Sequence, residues 1–391
     1  MYSLSDYPQD ASKLFDFAMQ DLMRGDIYGA ERMLSFSLQI EERPATFFEL
    51  AKLKFQRHDY PAAHYHATRA IELARGLKVK PSQSEPYVQL LAEIQPHLDA
   101  KIEMERTVVR LAQAGDLHGL FKAFDLLKFE DAMMEIARPS LRMILKDDPT
   151  DKAASKIGGW PILPDDVSWP SNADGLPLAF LCRIDLGCLA GTAFSEMSSK
   201  KTGYLSFFYD AVEQPVAWRH KDRYGWKVLF TPPGVRLCYP EEPEGLSEDC
   251  VFKCYSLSFE EELTFPQDDC GSKPEMTSEE EARFNSLCSA WYGRQAFEQH
   301  RLFGCPQVLQ DGWQLECQLA AKGITHKQFE ELEPQVAAKL TEGLNDWILL
   351  LQLDSFYDAT IWWQNGCKLC FCIHKDDLAA GDFDKVWVVV H

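Results

Sequence analysis

The nearest thing to a chemical constellation in this sequence is Cys367-x-x-Cys370-x-Cys372-x-His374. On a strand, alternate side chains share a face, so Cys370, Cys372 and His374 would point together and could offer two thiolates and an imidazole to zinc. Structural zinc sites usually draw on a second paired knuckle elsewhere in the chain. No second Cys-x-x-Cys exists, and the nearest substitute is Cys250-x-x-x-Cys254. The balance therefore falls to a core strand, and no metal site is expected. Gly158-Gly159 runs on into Trp160-Pro161 and not into a Lys-Ser/Thr pair, so it reads as a turn, not a phosphate-binding loop. Neither a Gly-x-Ser-x-Gly elbow nor a His-Glu-x-x-His zinc helix occurs. No catalytic residue and no cofactor is predicted.

Two aspartates recur in similar surroundings. The apolar run ending at Asp185 (Pro177-Leu-Ala-Phe-Leu-Cys-Arg-Ile184) reads like the run ending at Asp354 (Trp347-Ile-Leu-Leu-Leu-Gln-Leu353). If a pseudo-twofold relates the two, the carboxylates could meet across an interface to exchange protons or hold a cation. The simpler expectation is that each caps a turn after its strand. Trp160, Trp169, Trp362 and Trp363 could form a binding patch, since Trp is enriched in interface anchors, although most aromatic area is buried.

These residues need elements to position them, and the pattern changes once along the chain. The N-terminal region repeats itself every 33 residues. Gly25, Ile27, Ala30, Leu34, Ser37 and Ile40 fall opposite His58, Tyr60, Ala63, Ala67, Ala70 and Leu73. A third copy begins at Gly115 and Leu117, after a longer connection containing Pro81, Pro86 and Pro96. Asp147-Asp-Pro-Thr-Asp151 then breaks the helical periodicity, and the boundary is drawn there. Beyond it come short apolar runs separated by Gly, Pro and Asp. Besides the two aspartate-terminated runs, 203–208 resembles 366–372 and 226–230 resembles 386–390. Three strands recurring in one order predict two similar β-units. Their continuous apolar runs imply sheets covered on both faces. The expected architecture is two-domain. An all-α repeat domain spans 1–146, and an α+β domain of duplicated, mainly antiparallel sheet units spans 152–391.

Composition narrows the partners. No apolar run approaches the roughly 20 residues of a membrane span, and Met1–Asp6 lacks the basic start of a signal peptide, so a cytoplasmic protein is expected. The 12 cysteines all lie between Cys182 and Cys372, many in apolar runs, which suits reduced core thiols. The net charge is −20, and residues 241–281 hold 14 carboxylates against Lys253 and Lys273. Such a field repels phosphate backbones and anionic lipids, excluding nucleic acid and membrane as first choices, and it attracts a basic protein. Glu260, Glu261 and Glu262 form the densest run within it. The alternative is a solvated acidic loop that only aids solubility.

Leu50, Ala51, Tyr60, Ala63, Ala70 and Leu73 give the first region a resemblance to tetratricopeptide repeats, whose concave faces bind other proteins. The second region resembles the YwqG-like family. The resemblance rests on Ser155-Lys-Ile-Gly-Gly-Trp-Pro161, Phe180–Leu186, Gly203–Asp210, His300-Arg-Leu-Phe-Gly-Cys-Pro306, Leu350–Ser355 and Asp376–Phe383. Some relatives in that family resemble immunity proteins encoded beside polymorphic toxins. The resemblance therefore implies a binding protein, not an enzyme, and most specifically an antitoxin that occludes a basic toxin domain such as an ADP-ribosyltransferase or nuclease. A small-molecule binder or enzyme, with its site between the β-units at Asp185 and Asp354, is the alternative. A general scaffold is the third reading.

Overall fold

The computed structural model describes residues 7–147, 154–192, 195, 198–216, 220–266, 273–293, 299–307, 312–356, 361–364 and 366–390. The chain separates into two compact units, Met1–Ala114 and Gly115–His391.

The first unit is helical: α1 Ala11–Met23, α2 Ile27–Ile40, α3 Pro44–Gln56, α4 Tyr60–Gly76 and α5 Pro81–Gln113. One turn recurs in it. Gly25 at φ +79° and His58 at φ +58° each precede an aspartate that caps the next helix. The Gly29 N–H donates to Asp26 (2.8 Å) and the Ala62 N–H to Asp59 (3.3 Å), satisfying N–H groups that the first helical turn leaves unpaired. Small residues let the helices close up. Ala63, Ala67, Ala70 and Ala74 bury one stripe of α4, and Ala51, Ala63, Ala67, Leu90 and Ile94 form a core shared by α3, α4 and α5. The proline-bearing connection is itself α5, 33 residues long, with Pro81 in its first turn and Pro86 and Pro96 inside. Each internal proline removes a helix hydrogen bond, and Leu90 and Ile94, buried between them, hold the helix to its neighbours.

The second unit starts earlier than the charged break at 147–151, of which only Asp147 is among the described residues. The third copy of the repeat opens with the same turn: Gly115 at φ +68° and Asp116 accepting from the Gly119 N–H (2.8 Å). Its helices are short, however: α6 Leu117–Ala123, a 3-10 turn at Leu127–Phe129 and α7 Glu130–Ile136. They join the second unit through Phe121 against Phe265, Lys128 to Glu280 (2.5 Å) and Asp125 to Arg283 (3.0 Å). Residues 138–146, expected with the helices, are strand β1 of the sheet.

The strands are β1 Arg138–Lys146, β2 Lys156–Ile157, β3 Leu163–Pro164, β4 Ala179–Asp185, β5 Tyr204–Tyr209, β6 Trp226–Thr231, β7 Leu237–Cys238, β8 Tyr255–Thr264, β9 Arg301–Leu302, β10 Trp347–Asp354, β11 Lys368–His374 and β12 Trp387–Val390. Helices α8 Ser278–Tyr292, α9 Trp313–Ala321, α10 His326–Glu330, α11 Pro334–Thr341 and α12 Lys375–Ala380 lie between or after them. Ten strands make one sheet in the order β12-β11-β10-β9-β1-β8-β2-β4-β5-β6, antiparallel throughout, and β3 pairs with β7 separately. Central β1 and β8 pair along nearly their whole length, with Ile144 opposite Ser258 midway. Each then meets a two-residue strand, β9 or β2, and beyond it an antiparallel triplet whose first strand carries a bulge, at Phe180/Cys182 or Leu349/Leu351.

The sheet folds so that its two triplets face each other. Phe207 meets Phe371 (ring centroids 5.2 Å apart), Tyr209 meets Trp363 (5.7 Å), and Trp226 meets Trp387 (5.7 Å) while donating its indole N–H to the Val386 carbonyl (2.9 Å). The continuous apolar runs follow from this, since α9 residues Trp313 and Cys317 and a second cluster around Leu163, Leu178 and Phe180 also bury apolar strand surface. Two glycines permit the turns after the short strands. A side chain on Gly158 (φ +65°) would run into the Lys253 carbonyl, and one on Gly304 (φ +81°) into Thr264 and Ser140. Gly158→Ala is expected to lose more than about 1 kcal/mol in urea denaturation; an unchanged midpoint would contradict the packing described.

Candidate functional site

The triplets do not close completely. Between them lies a cavity of about 380 Å3, within the size range of small-molecule sites. One half of the sheet supplies Ile184, Leu205 and Phe207, and the other supplies Leu302, Phe303 and Leu350. Leu378 of α12 and Phe383 add to the apolar wall. The connection from β4 to β5 supplies the polar rim: Ser195, Ser198, Lys200 and Lys201. Asp185 starts that connection by accepting from the Gly187 N–H (2.8 Å), capping the 3-10 turn Leu186–Leu189. The Ser199 N–H donates to the Ala379 carbonyl (3.2 Å), so the rim is fastened to α12. Lys200 is half-buried, with its ammonium 5.4 Å from the Phe230 ring centre, and Lys201 donates to the Ser195 carbonyl. No carboxylate lines the cavity.

A second concentration of chemistry is sealed inside the sheet. Arg142 of β1 and Arg301 of β9 are paired directly across the ladder, 1% and 0% exposed. Glu262 of β8 lies 3.8 Å from the first and 3.5 Å from the second. Arg301 also donates to Gln299 (2.8 Å) and stacks on Tyr292 (4.8 Å), and Gln299 and Arg142 both donate to the Tyr292 carbonyl. His300 accepts from the Asp354 N–H through Nδ1 (3.1 Å). Burial, with Arg142 and Lys368 adding to it, pulls its pKa from 6.5 down to about 3, so the ring is neutral. Enclosed, neutral or permanently paired groups of this kind hold strands in register; they do not turn over substrate.

Asp185 and Asp354 are not brought together. Four strands separate β4 from β10 in the sheet order, and their partners differ. Asp354 accepts from the Gln299 N–H (3.0 Å) and pairs with Lys368 (3.5 Å), whereas Asp185 serves its turn and its N–H donates to Ser155 (2.9 Å). Trp363 is a core residue, 1% exposed against Tyr209 and Phe252, and is no surface anchor. Trp160 and Trp169 pack together (5.1 Å), half-buried, with their indoles donating to Pro240 and Leu178 carbonyls, while Trp362 is 54% exposed. The glutamate run divides: Glu260 and Glu261 face solvent and Glu262 is in the buried cluster. Of the wider acidic segment, 267–272 lies outside the described residues.

The cysteine constellation folds as core. Burial pushes the Cys370 thiol up to about 12 and Cys372 well above its ordinary value, so neither presents a thiolate. His374 instead caps α12 and meets Asp346 (3.9 Å). Among the described residues no group of three or more His, Cys, Asp or Glu is placed to hold a metal ion.

A family model described as "Domain of unknown function (DUF1963)" matches residues 155–391. The chain belongs to this family. No curated protein matches the chain. The matched segment contains the cavity lining and both strand triplets but not β1, so the DUF1963 match stops short of one of the two central strands. No helix among the described residues is long and apolar enough to cross a membrane.

Two outcomes test this assignment. Glu262→Gln leaves two facing arginines buried without their counter-charge and is expected to cost roughly 3–5 kcal/mol; a loss below about 1 kcal/mol would contradict it. His300 stays neutral when folded and gains a proton when unfolded. Its contribution to stability is therefore complete above pH 6.5 and falls as pH drops toward 3. Relative to His300→Asn, the wild type should lose about 1.4 kcal/mol per pH unit across that window in denaturation series, and parallel curves would refute the buried neutral imidazole.

Proposed function

We propose that this chain is a cytoplasmic binding protein and not an enzyme, and that it acts as an immunity protein covering the active cleft of a basic toxin domain, such as an ADP-ribosyltransferase or nuclease. The observation that carries the reading is a field of exposed carboxylates: Glu241, Glu242, Glu244, Glu248 and Asp249, with Glu260 and Glu261 on β8. Charges of one sign on a surface accelerate encounter with a partner of the other. The YwqG-like resemblance adds the antitoxin role. The recurrent Asp-capped turn at 33-residue spacing supports a tetratricopeptide-like reading of the first unit, a fold class whose business is docking. The matching strand order, bulges and short strands on either side of β1 and β8 support descent of the sheet from a duplication.

Affinity capture of the tagged chain from its native host should recover one basic protein near one-to-one, toxic when expressed alone and harmless with this chain. Neutralising the five carboxylates of the 241–249 loop should slow association about tenfold at low salt and leave little effect at 1 M, where screening is complete. Association indifferent to both changes would count against the acidic surface.

The seam cavity favours a second reading, a small-molecule binder. The enzymatic form of that reading loses its acid–base pair, because Asp185 and Asp354 serve separate turns and strand ends.

A further inference from the structure

We propose that the seam cavity binds an amphipathic carboxylate, a medium-length alkyl chain ending in one negative charge. The proposal deepens the small-molecule reading and rests on it. The cavity's charge runs against that of the chain. In a protein with 60 acidic and 40 basic residues, its lining includes two lysines and no carboxylate. The lysines sit together at one end, on the serine-bearing rim, and the rest of the wall is aliphatic with three phenylalanines. An apolar body with a single polar end is the complement of such a site.

The rim is built to keep its charge there. The Lys200 stem lies over Gly381, where a Cβ would come within 2.7 Å, so the glycine at the end of α12 makes room for it. The Lys200 N–H donates to Ser198 (3.1 Å), and Lys201 is anchored on Ser195. Opposite them the wall is drawn from both sheet halves, so the chain of a ligand would lie between Leu205 and Leu350 and stay out of water. The volume limits the length. A void of about 150 Å3 takes one benzene, so 380 Å3 accommodates roughly fifteen non-hydrogen atoms. Decanoate falls within that limit, and membrane-lipid diacyl chains exceed it.

Titration calorimetry of the full chain with decanoate, decanol and decyltrimethylammonium, each below its aggregation concentration, tests this. Decanoate should bind at least about tenfold more tightly than the other two. Lys200→Gln with Lys201→Gln should abolish that preference while leaving decanol binding unchanged. Ala190→Trp, at an exposed position on the mouth, and Leu205→Trp, inside, should each block all binding, the first without risk to the core. Equal binding of decanoate and decanol would overturn the carboxylate assignment and leave the cavity reading standing. Absence of binding by all three would overturn both, as would decanoate binding that persists in the two tryptophan variants.

Discussion

Arg142, Glu262 and Arg301 carry charge on three neighbouring strands, β1, β8 and β9, where water does not reach. Two arginines directly opposite each other repel, and in a buried ladder that repulsion is not screened. Glu262 sits diagonally across from Arg142 (its own ladder partner is Ser140) and reaches both guanidinium groups. Replacing such a triad by apolar side chains can raise stability, so its role is better sought in specificity. A one-residue slip of β8 against β1 would send Glu262 to the other face and strand both cations. The triad thereby selects one register for the pairing from which all other strands extend.

From that register the remaining architecture follows. β2 and β9 are only two residues long because the chain turns immediately afterwards, at Gly158 and at Phe303-Gly304, all with positive φ. The turns lead the chain away from the central strands, and the triplets beyond, folded toward each other, meet through aromatic pairs. Side chains near the folded centre, Leu302 and Phe303, and those of the flanks, Leu205 and Leu350, do not fill the space between them, and the cavity is what remains. Its polar rim comes from the connection that Asp185 initiates, so a turn-capping carboxylate helps set the mouth of the site without entering it.

The sequence was most legible where local pattern decides structure. The six strands of the two triplets are long apolar runs punctuated by Gly and Asp, and each is found where the runs lie. The Asp-capped turns follow from the 33-residue spacing. Legibility failed where charge sits on a strand. β8 was hidden by Glu260–Glu262, although Tyr255, Leu257 and Phe259 alternate with serines at period two, the signal of a half-buried strand. β1 was hidden in the same way, by Arg142 and Lys146 between Leu141, Met143 and Leu145, and by its position directly after helices. The buried triad draws on positions 142, 262 and 301, and the cavity on segments from 184 to 383. Pairings over such separations leave no spacing to read. The aspartate pair failed for the opposite reason: similar local sequence gave similar strand ends without bringing them together.

The account holds that the two triplets and the central strands are one cooperative body fixed by the buried triad, so that the cavity between the triplets is preformed. Native-state hydrogen exchange of the chain tests this most directly. The account predicts that amides of β4, β5, β10 and β11 open only with those of β1 and β8, at one common free energy. Opening of either triplet at a lower free energy, with β1 and β8 still protected, would contradict it.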